Sequence, residues 1–498
     1  MAKRKRKIIK QKKVADWFGR ETKEGYICAK LEESPTPDYV VAELKYEIPV
    51  AYTTSRFSAP AAAQPHANRL NNVIARYGVS VLRSLFGLKS SLVRRRIDVA
   101  SALPPLPSAT KFAEKGMDTN FIHSGFVQIV PKKGEDANRI AKELSREDSV
   151  WQAYVAPRPV PALPIGSAKG DRNYEPAQGY LYSPPDGVGA EDVWNLAGGK
   201  GQKITVCDIE GNWNRKHKDL PKKINLLGGT LINDLGWRNH GTAVLGEMVS
   251  QPNVFGTVGI CHKANAVVQS AVINGVFNTA GAITNAASKL KAGDVILIEL
   301  QATGPNGKYV AMQYWSDVFS AIVAATKKGI TVVEAAGNGN ENFDLPIFNN
   351  TGLQKDSGAI VVGAGIPPSN HFDFDRGYKL IGVPRSRIWF SNYGKIVNVQ
   401  GWGWHVTTLG YGDAQGGTSE NTWYTLRFSG TSSASPIVTG CVACIQGRAK
   451  AKIGNPLSPG TVRKIMIKTG TPQVAGPSVP VTQNIGPLPN LVKAMKLV

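Results

Sequence analysis

Between residues 203 and 363 the sequence alternates short, almost wholly apolar runs with longer stretches of helical period, and this alternation narrows the fold more than any other feature. Lys203–Asp208, Ala266–Ile273, Asp294–Leu300, Thr331–Ala335 and Ala359–Gly363 read as strands, whereas 280–292 and 314–328 read as helices. In the second helix Val318, Ile322 and Ala325 fall on one stripe. Strands apolar on both faces, separated by helices, imply a parallel sheet covered on both sides. The predicted class is therefore α/β, a doubly wound parallel sheet with helices on both faces.

Chemistry-bearing residues sit where such a sheet collects them. In Phe428-Ser-Gly-Thr-Ser-Ser-Ala-Ser-Pro-Ile-Val-Thr-Gly440, Ser432 stands between a glycine turn and a helix on which Ala434, Ile437, Val438, Cys441, Val442 and Ile445 share an apolar face. Pro436 is tolerable if it falls in the first helical turn. A hydroxyl at a helix N-terminus lies beside unpaired N–H groups and the positive end of the dipole, which can hold an oxyanion. Serine needs a base and a group to orient that base. His240 opens Asn239-His-Gly-Thr-Ala-Val-Leu-Gly-Glu-Met248, at the start of an apolar helical stripe, and Asp208 ends the first strand before the loop Ile209-Glu-Gly-Asn212. The chain order Asp, His, Ser is that of one of the known triads.

With these motifs in place, the chain resembles the subtilisin-like serine peptidases, the subtilase family. The family's serine box, Gly-Thr-Ser-x-Ala-x-Pro-x-Val-x-Gly, is met at every fixed position from Gly430 to Gly440, and its histidine box from His240 to Val244. A third box is met by Ala335-Ala-Gly-Asn338, which makes Asn338, by resemblance, the side-chain donor to the oxyanion. Smaller echoes are His217-Lys-Asp-Leu220 and Phe390-Ser-Asn-Tyr-Gly394. The resemblance runs from about Glu191 to the C-terminus and implies peptide-bond hydrolysis through Asp208, His240 and Ser432, with an acyl-enzyme intermediate. It implies protein or peptide substrates, no cofactor for the chemistry, and room for a structural calcium, although no oxygen-rich loop has recognisable ligand spacing.

The chain departs from the family in two places. Asp208-Ile-Glu-Gly211 carries one residue more before the glycine than the usual Asp-Ser/Thr-Gly, which makes Glu210 a rival orienter. Its other reading is a solvated loop charge. A bacterial subgroup resembles this Asp-x-Glu form followed by a Gly/Trp-containing loop, as in Glu210-Gly-Asn-Trp213. Glu299-Leu-Gln-Ala-Thr-Gly304 stands where the family pairs substrate backbone, and it differs from the usual Ser-Leu-Gly. His217 and His262 read as structural or surface residues.

The chain divides into a basic arm at 1–20, a small α+β domain at 21–156, a proline-rich linker at 157–185 and the peptidase domain at 186–498. In the α+β domain, 68–77 places Leu70, Val73, Ile74 and Tyr77 on one helical face; 121–131 reads as a strand, 136–147 as a helix and 150–155 as a strand. By resemblance this is a propeptide that blocks the cleft until it is cut, with self-cleavage expected between Ala156 and Tyr182. The alternative is a permanent accessory domain.

Net charge +22, with Lys3-Arg-Lys-Arg-Lys7 in the arm and a second cluster at Arg94-Arg-Arg96, predicts weak attraction to polyanions. The arm carries no interleaved aromatics for base stacking. A catalytically weak subtilase fold that holds an anionic partner through this arm is the competing, binding-class reading. No run is long and apolar enough to span a membrane, and Val14-Ala-Asp-Trp-Phe-Gly19 is too short and polar for a signal-peptide core. Cys28, Cys207, Cys261, Cys441 and Cys444 lack metal-ligand spacing and fit reduced core thiols of a cytoplasmic protein.

Overall fold

The structure, a computed structural model, describes residues 38–100, 119–156, 172–368 and 382–498. The basic arm and Cys28 lie outside the described residues.

The N-terminal domain is a four-stranded antiparallel sheet with helices. Strands β1 (Val40–Leu44), β2 (Val79–Ser84), β3 (Phe126–Pro131) and β4 (Val150–Val155) are ordered β2-β3-β1-β4. Helices α1 (Gln64–Arg76), α2 (Ser90–Ala100), α3 (Thr119–Ser124) and α4 (Ala137–Leu144) complete it. The helix expected at 68–77 begins four residues earlier, with a proline in its first turn. The strand expected at 121–131 is helix over its first four residues: Ile122 and His123 belong to α3, and Gly125 allows the turn into β3 because a side chain there would strike the Tyr46 ring. Arg94 and Arg95 are exposed, but Arg96 is not part of a surface cluster. Its guanidinium is buried, bonded to the carbonyls of Val50 (3.0 Å) and Lys45 (2.6 Å), and lies over the Tyr46 ring.

The peptidase domain is built on seven parallel strands. They are β5 (Thr205–Glu210), β6 (Asn225–Leu226), β7 (Asn265–Ser270), β8 (Val295–Ile298), β9 (Thr331–Ala335), β10 (Ile360–Gly365) and β11 (Val397–Trp402), in the order β11-β10-β9-β8-β5-β7-β6. Helix α5 (Leu235–Val249) and α8 (Thr431–Lys452) cover one face; α6 (Thr279–Lys289) and α7 (Ser316–Lys327) cover the other, with α9 (Pro459–Thr469) beside α8. Each face has its own apolar core: Val206, Val244, Val268, Leu297 and Ile437 on the first, Ile209, Ile283, Ile296, Ile322 and Val332 on the second. Burial of both strand faces accounts for the continuous apolar runs in the sequence.

Residues 172–185, expected to be linker, instead pack on the peptidase domain. Tyr180 and Leu181 are wholly buried, and the Tyr180 hydroxyl donates to the Thr407 carbonyl at 3.1 Å. Apolar side chains, not the prolines, decide this segment. The expected linker outside this part, 157–171, is not among the described residues.

The N-terminal sheet seals the start of α6 and α7. Tyr39, Val41, Leu85, Phe86 and Phe126 join the second core. At α7, Gln152 Nε2 donates to Ser316 Oγ (2.5 Å) and to Glu43 Oε2 (2.7 Å), and the Tyr154 hydroxyl donates to Asp317 Oδ1 at 2.6 Å. At α6 the cap residue Asn278 donates to the Leu85 carbonyl at 2.7 Å, and Tyr39 donates to the Phe277 carbonyl. A carboxylate such as Glu43 at a helix N-terminus faces the positive end of the dipole.

Candidate active site

Strand β5 runs two residues further than the sequence suggested, and this moves the acid. Side chains two apart on a strand share a face, so Val206, Asp208 and Glu210 all point toward α5 and α8, with Glu210 about 7 Å beyond Asp208. Glu210 is wholly buried rather than a solvated loop charge, and its Oε1 lies 2.5 Å from His240 Nδ1. The geometry therefore corrects the expected partnership: the carboxyl on the imidazole is that of Glu210, not Asp208.

Asp208 holds the neighbouring loop instead. Its Oδ2 accepts from the Trp213 indole at 2.7 Å, while Oδ1 is buried without a partner. Trp213 lies against Gly241, where a Cβ would come within 2.5 Å of the indole, and the Asn214 N–H donates to Thr242 Oγ1 at 2.8 Å. The Gly-Thr of the histidine box thus seats this loop on α5. The helix begins at Leu235, capped by the Asp234 side chain on the Trp237 N–H, which places His240 in its second turn rather than at its start.

His240 is almost fully buried, edge-on to Phe428 at 5.3 Å between ring centroids. Burial lowers its pKa to about 4, against a smaller upward pull from Asp208. Its Nε2 is buried and has no hydrogen-bond partner, so the Ser432 hydroxyl does not bond to it in this arrangement. Such catalytic hydrogen bonds commonly tighten only with substrate bound. Burial raises the Glu210 carboxyl well above its usual value; Asp208 is raised by burial and then by Glu210.

Ser432 is in the first turn of α8, after Gly430, whose φ of +106° suits glycine. Pro436 lies one turn further in than a first-turn proline would, and its missing N–H removes the helical bond to the Ser432 carbonyl. Asn338 follows β9. Its Oδ1 accepts from the Thr431 N–H at 2.9 Å, and this fixes the amide so that Nδ2 faces Gly430, 3.1 Å from where a Cβ would stand.

Sequence reasoning missed the part played by Glu299. This residue follows β8, next to Glu210 across the sheet, and its Oε2 accepts from the Ser435 hydroxyl at 2.5 Å. Burial raises its carboxyl, hydrogen bonds from Ser435 and Ser432 oppose this, and Asp208 and Glu210 raise it further. A glutamate ending the run Val295-Ile-Leu-Ile-Glu299 was the signal available. His217 and His262 are structural: His217 Nε2 bonds the Trp423 carbonyl at 2.9 Å, and His262 stands edge-on to Trp194.

The serine, histidine and asparagine boxes thus meet at the carboxyl ends of the central strands, as ligand sites in open α/β sheets do. A family model, the subtilase family, matches residues 199–485, more than half of the chain. The chain belongs to the subtilase family. Membership implies serine endopeptidase activity. Among solved structures, this subtilase is similar to fervidolysin from Fervidobacterium pennivorans, a keratinolytic enzyme related to subtilisin, with TM-score 0.51 and 15% identity over 94% of this chain and 62% of that one. It is also similar to a protease from Pseudoalteromonas arctica (TM-score 0.48, 19% identity, 66% of this chain and 99% of that one) and to the prenylagaramide maturation protease PagA (0.44, 20%, 62% and 97%). No curated protein matches it in sequence. Among the described residues, no helix of this subtilase is long and apolar enough to cross a membrane.

Proposed function

We propose that this subtilase cleaves peptide bonds with Ser432 as nucleophile, His240 as base and Glu210 as the group that orients the base. The observation that carries this reading is the buried 2.5 Å contact from Glu210 to Nδ1, on an imidazole whose Nε2 has no partner. With Glu210 ionised and the proton on Nδ1, Nε2 is a base; it takes the serine proton as the hydroxyl attacks the carbonyl and returns it to the leaving amine. The imidazolium formed in between lies against the Glu210 carboxylate. Asn338 Nδ2 and the Ser432 N–H would donate to the tetrahedral oxyanion, and water would release the acyl group. Asp208 keeps the Trp213 loop on α5, the support for this geometry.

The N-terminal domain is proposed as an inhibitory segment, supported by the core it shares with α6 and α7. Self-cleavage is proposed within 157–171, outside the described residues, because 172–182 is folded on the peptidase domain. A fluorophosphonate probe should label the wild type and not Ser432→Ala, and the intact mass of the wild type should fall relative to Ser432→Ala. Equal labelling of both proteins would end the triad reading, and equal masses would end the processing reading.

A further inference from the structure

Beside α5, the helix that carries His240, lies an open cleft of about 650 Å³ whose charge the triad does not use. Trp213, the residue that holds Asp208, lines it, and so does Arg238, two residues before His240. Among the described lining residues the only carboxylate is Glu420, and Arg238 already neutralises it through two parallel bonds of 2.9 Å. Arg215, Lys216, Lys222 and Lys223 line the same cleft. None of them forms an ion pair with a carboxylate among the described residues. Arg215 is fixed by donating to the Ile224 carbonyl at 2.8 Å, a neutral acceptor, so its position is set while its charge stays uncompensated. The three lysines are exposed.

Cations gathered in one concavity and left without counter-charge attract anions from solution and raise their local concentration. We propose that this cleft is a subsite for acidic side chains of the peptide substrate, so that the enzyme favours Asp or Glu near the scissile bond. The inference rests on the endopeptidase activity. It favours an acidic peptide over nucleic acid on two grounds. The cleft adjoins α5, the helix that carries His240, and the one aromatic among its described lining residues, Trp213, is buried at 3% exposure and offers no face for a base to stack on.

The test uses full-length protein. Peptide pairs differing only in Glu against Gln at each position around one cleavable bond are given to the wild type, to Lys222→Glu/Lys223→Glu, and to the charge-matched control Lys464→Glu/Lys468→Glu on the exposed side of α9. The expected Glu/Gln ratio of kcat/KM is about 5 in the wild type and the control, near or below 1 in the cleft variant, and it shrinks with added salt. Cleavage of the Gln peptides should stay within about twofold between the wild type and the control, because distant exposed charges contribute little. In parallel, fluorescence anisotropy of Ser432→Ala measures binding of labelled hexaglutamate, hexaglutamine and a six-nucleotide oligothymidylate. Binding of hexaglutamate that Lys222→Glu/Lys223→Glu abolishes supports the subsite. A wild-type ratio near 1, a ratio unchanged in the cleft variant, or tighter binding of oligothymidylate than of hexaglutamate through these lysines overturns it. If no peptide is cut by any variant and the wild type loses no mass relative to Ser432→Ala, the endopeptidase reading fails, while the binding comparison still decides the cleft.

Discussion

Exchanging the charge of the two β5 carboxyls separately tests the assignment of the orienting acid. In Glu210→Gln the amide presents either an N–H that forces the proton onto Nε2, or an oxygen with no charge to meet the imidazolium. Losing the orienting carboxylate of a triad typically lowers kcat by about 10⁴, or about 5.4 kcal/mol of barrier. In Asp208→Asn the amide oxygen still accepts from the Trp213 indole, whose bond to Oδ2 measures 2.7 Å, and the imidazole keeps its own partner. That substitution should cost about tenfold or less, since it alters one hydrogen bond to a charged group. The assay is kcat and KM on one peptide amide, with the fluorophosphonate labelling rate measured across pH and thermal unfolding to confirm that each variant folds. Burial raises the Glu210 carboxyl, so the wild-type labelling rate should fall as pH drops through a value above the ordinary carboxylate range. A loss of about 10⁴ in Asp208→Asn with a near-normal Glu210→Gln would refute the argument from strand alternation.

Asn338→Ala should lower kcat by about 10²–10³ with little change in KM, the cost of one oxyanion donor; steady-state kinetics checks it, and an unchanged kcat removes Asn338 from the oxyanion hole. Glu334 is buried, its Oε1 accepting from the Gln313 N–H at 2.7 Å and its Oε2 without a partner, and burial raises its pKa to about 8. A raised carboxyl contributes stability below its unfolded value and loses it as pH rises toward 8, so Glu334→Gln should gain up to about 4–5 kcal/mol relative to wild type between pH 4.5 and 8, read by denaturant titration. Asp317, bonded to Tyr154 of the N-terminal sheet, is pushed up to about 6 by burial. The seal should therefore weaken as pH rises from about 4 to 6, and Asp317→Asn should flatten that dependence in hydrogen exchange of β4.

What the sequence revealed, and what it concealed, follows from how local each signal is. The parallel sheet was legible because burial on both faces leaves runs such as Val295–Ile298 with no polar break. The meeting of the motifs that hold Ser432, His240 and Asn338 was legible because these motifs are short and carry glycines the geometry needs: Gly241 to admit Trp213, and Gly430 for its positive φ. Which carboxyl meets His240, Asp208 or its rival Glu210, was not, because the end of a strand depends on what its last residues meet in three dimensions. Glu210 looked like a loop charge by polarity, yet its register opposite Ser270 on β7 keeps it in the sheet, and His240 supplies the partner that makes its burial tolerable. The same reasoning covers Arg96, a basic cluster in sequence but a buried tie to backbone carbonyls in the fold, and residues 172–185, whose prolines suggested a linker while Tyr180 and Leu181 were core. In each of these cases a polar or helix-breaking residue type was outweighed by a contact made far along the chain. Long-range partners of this kind decide which of two carboxyls, two residues apart and on the same face, reaches the imidazole.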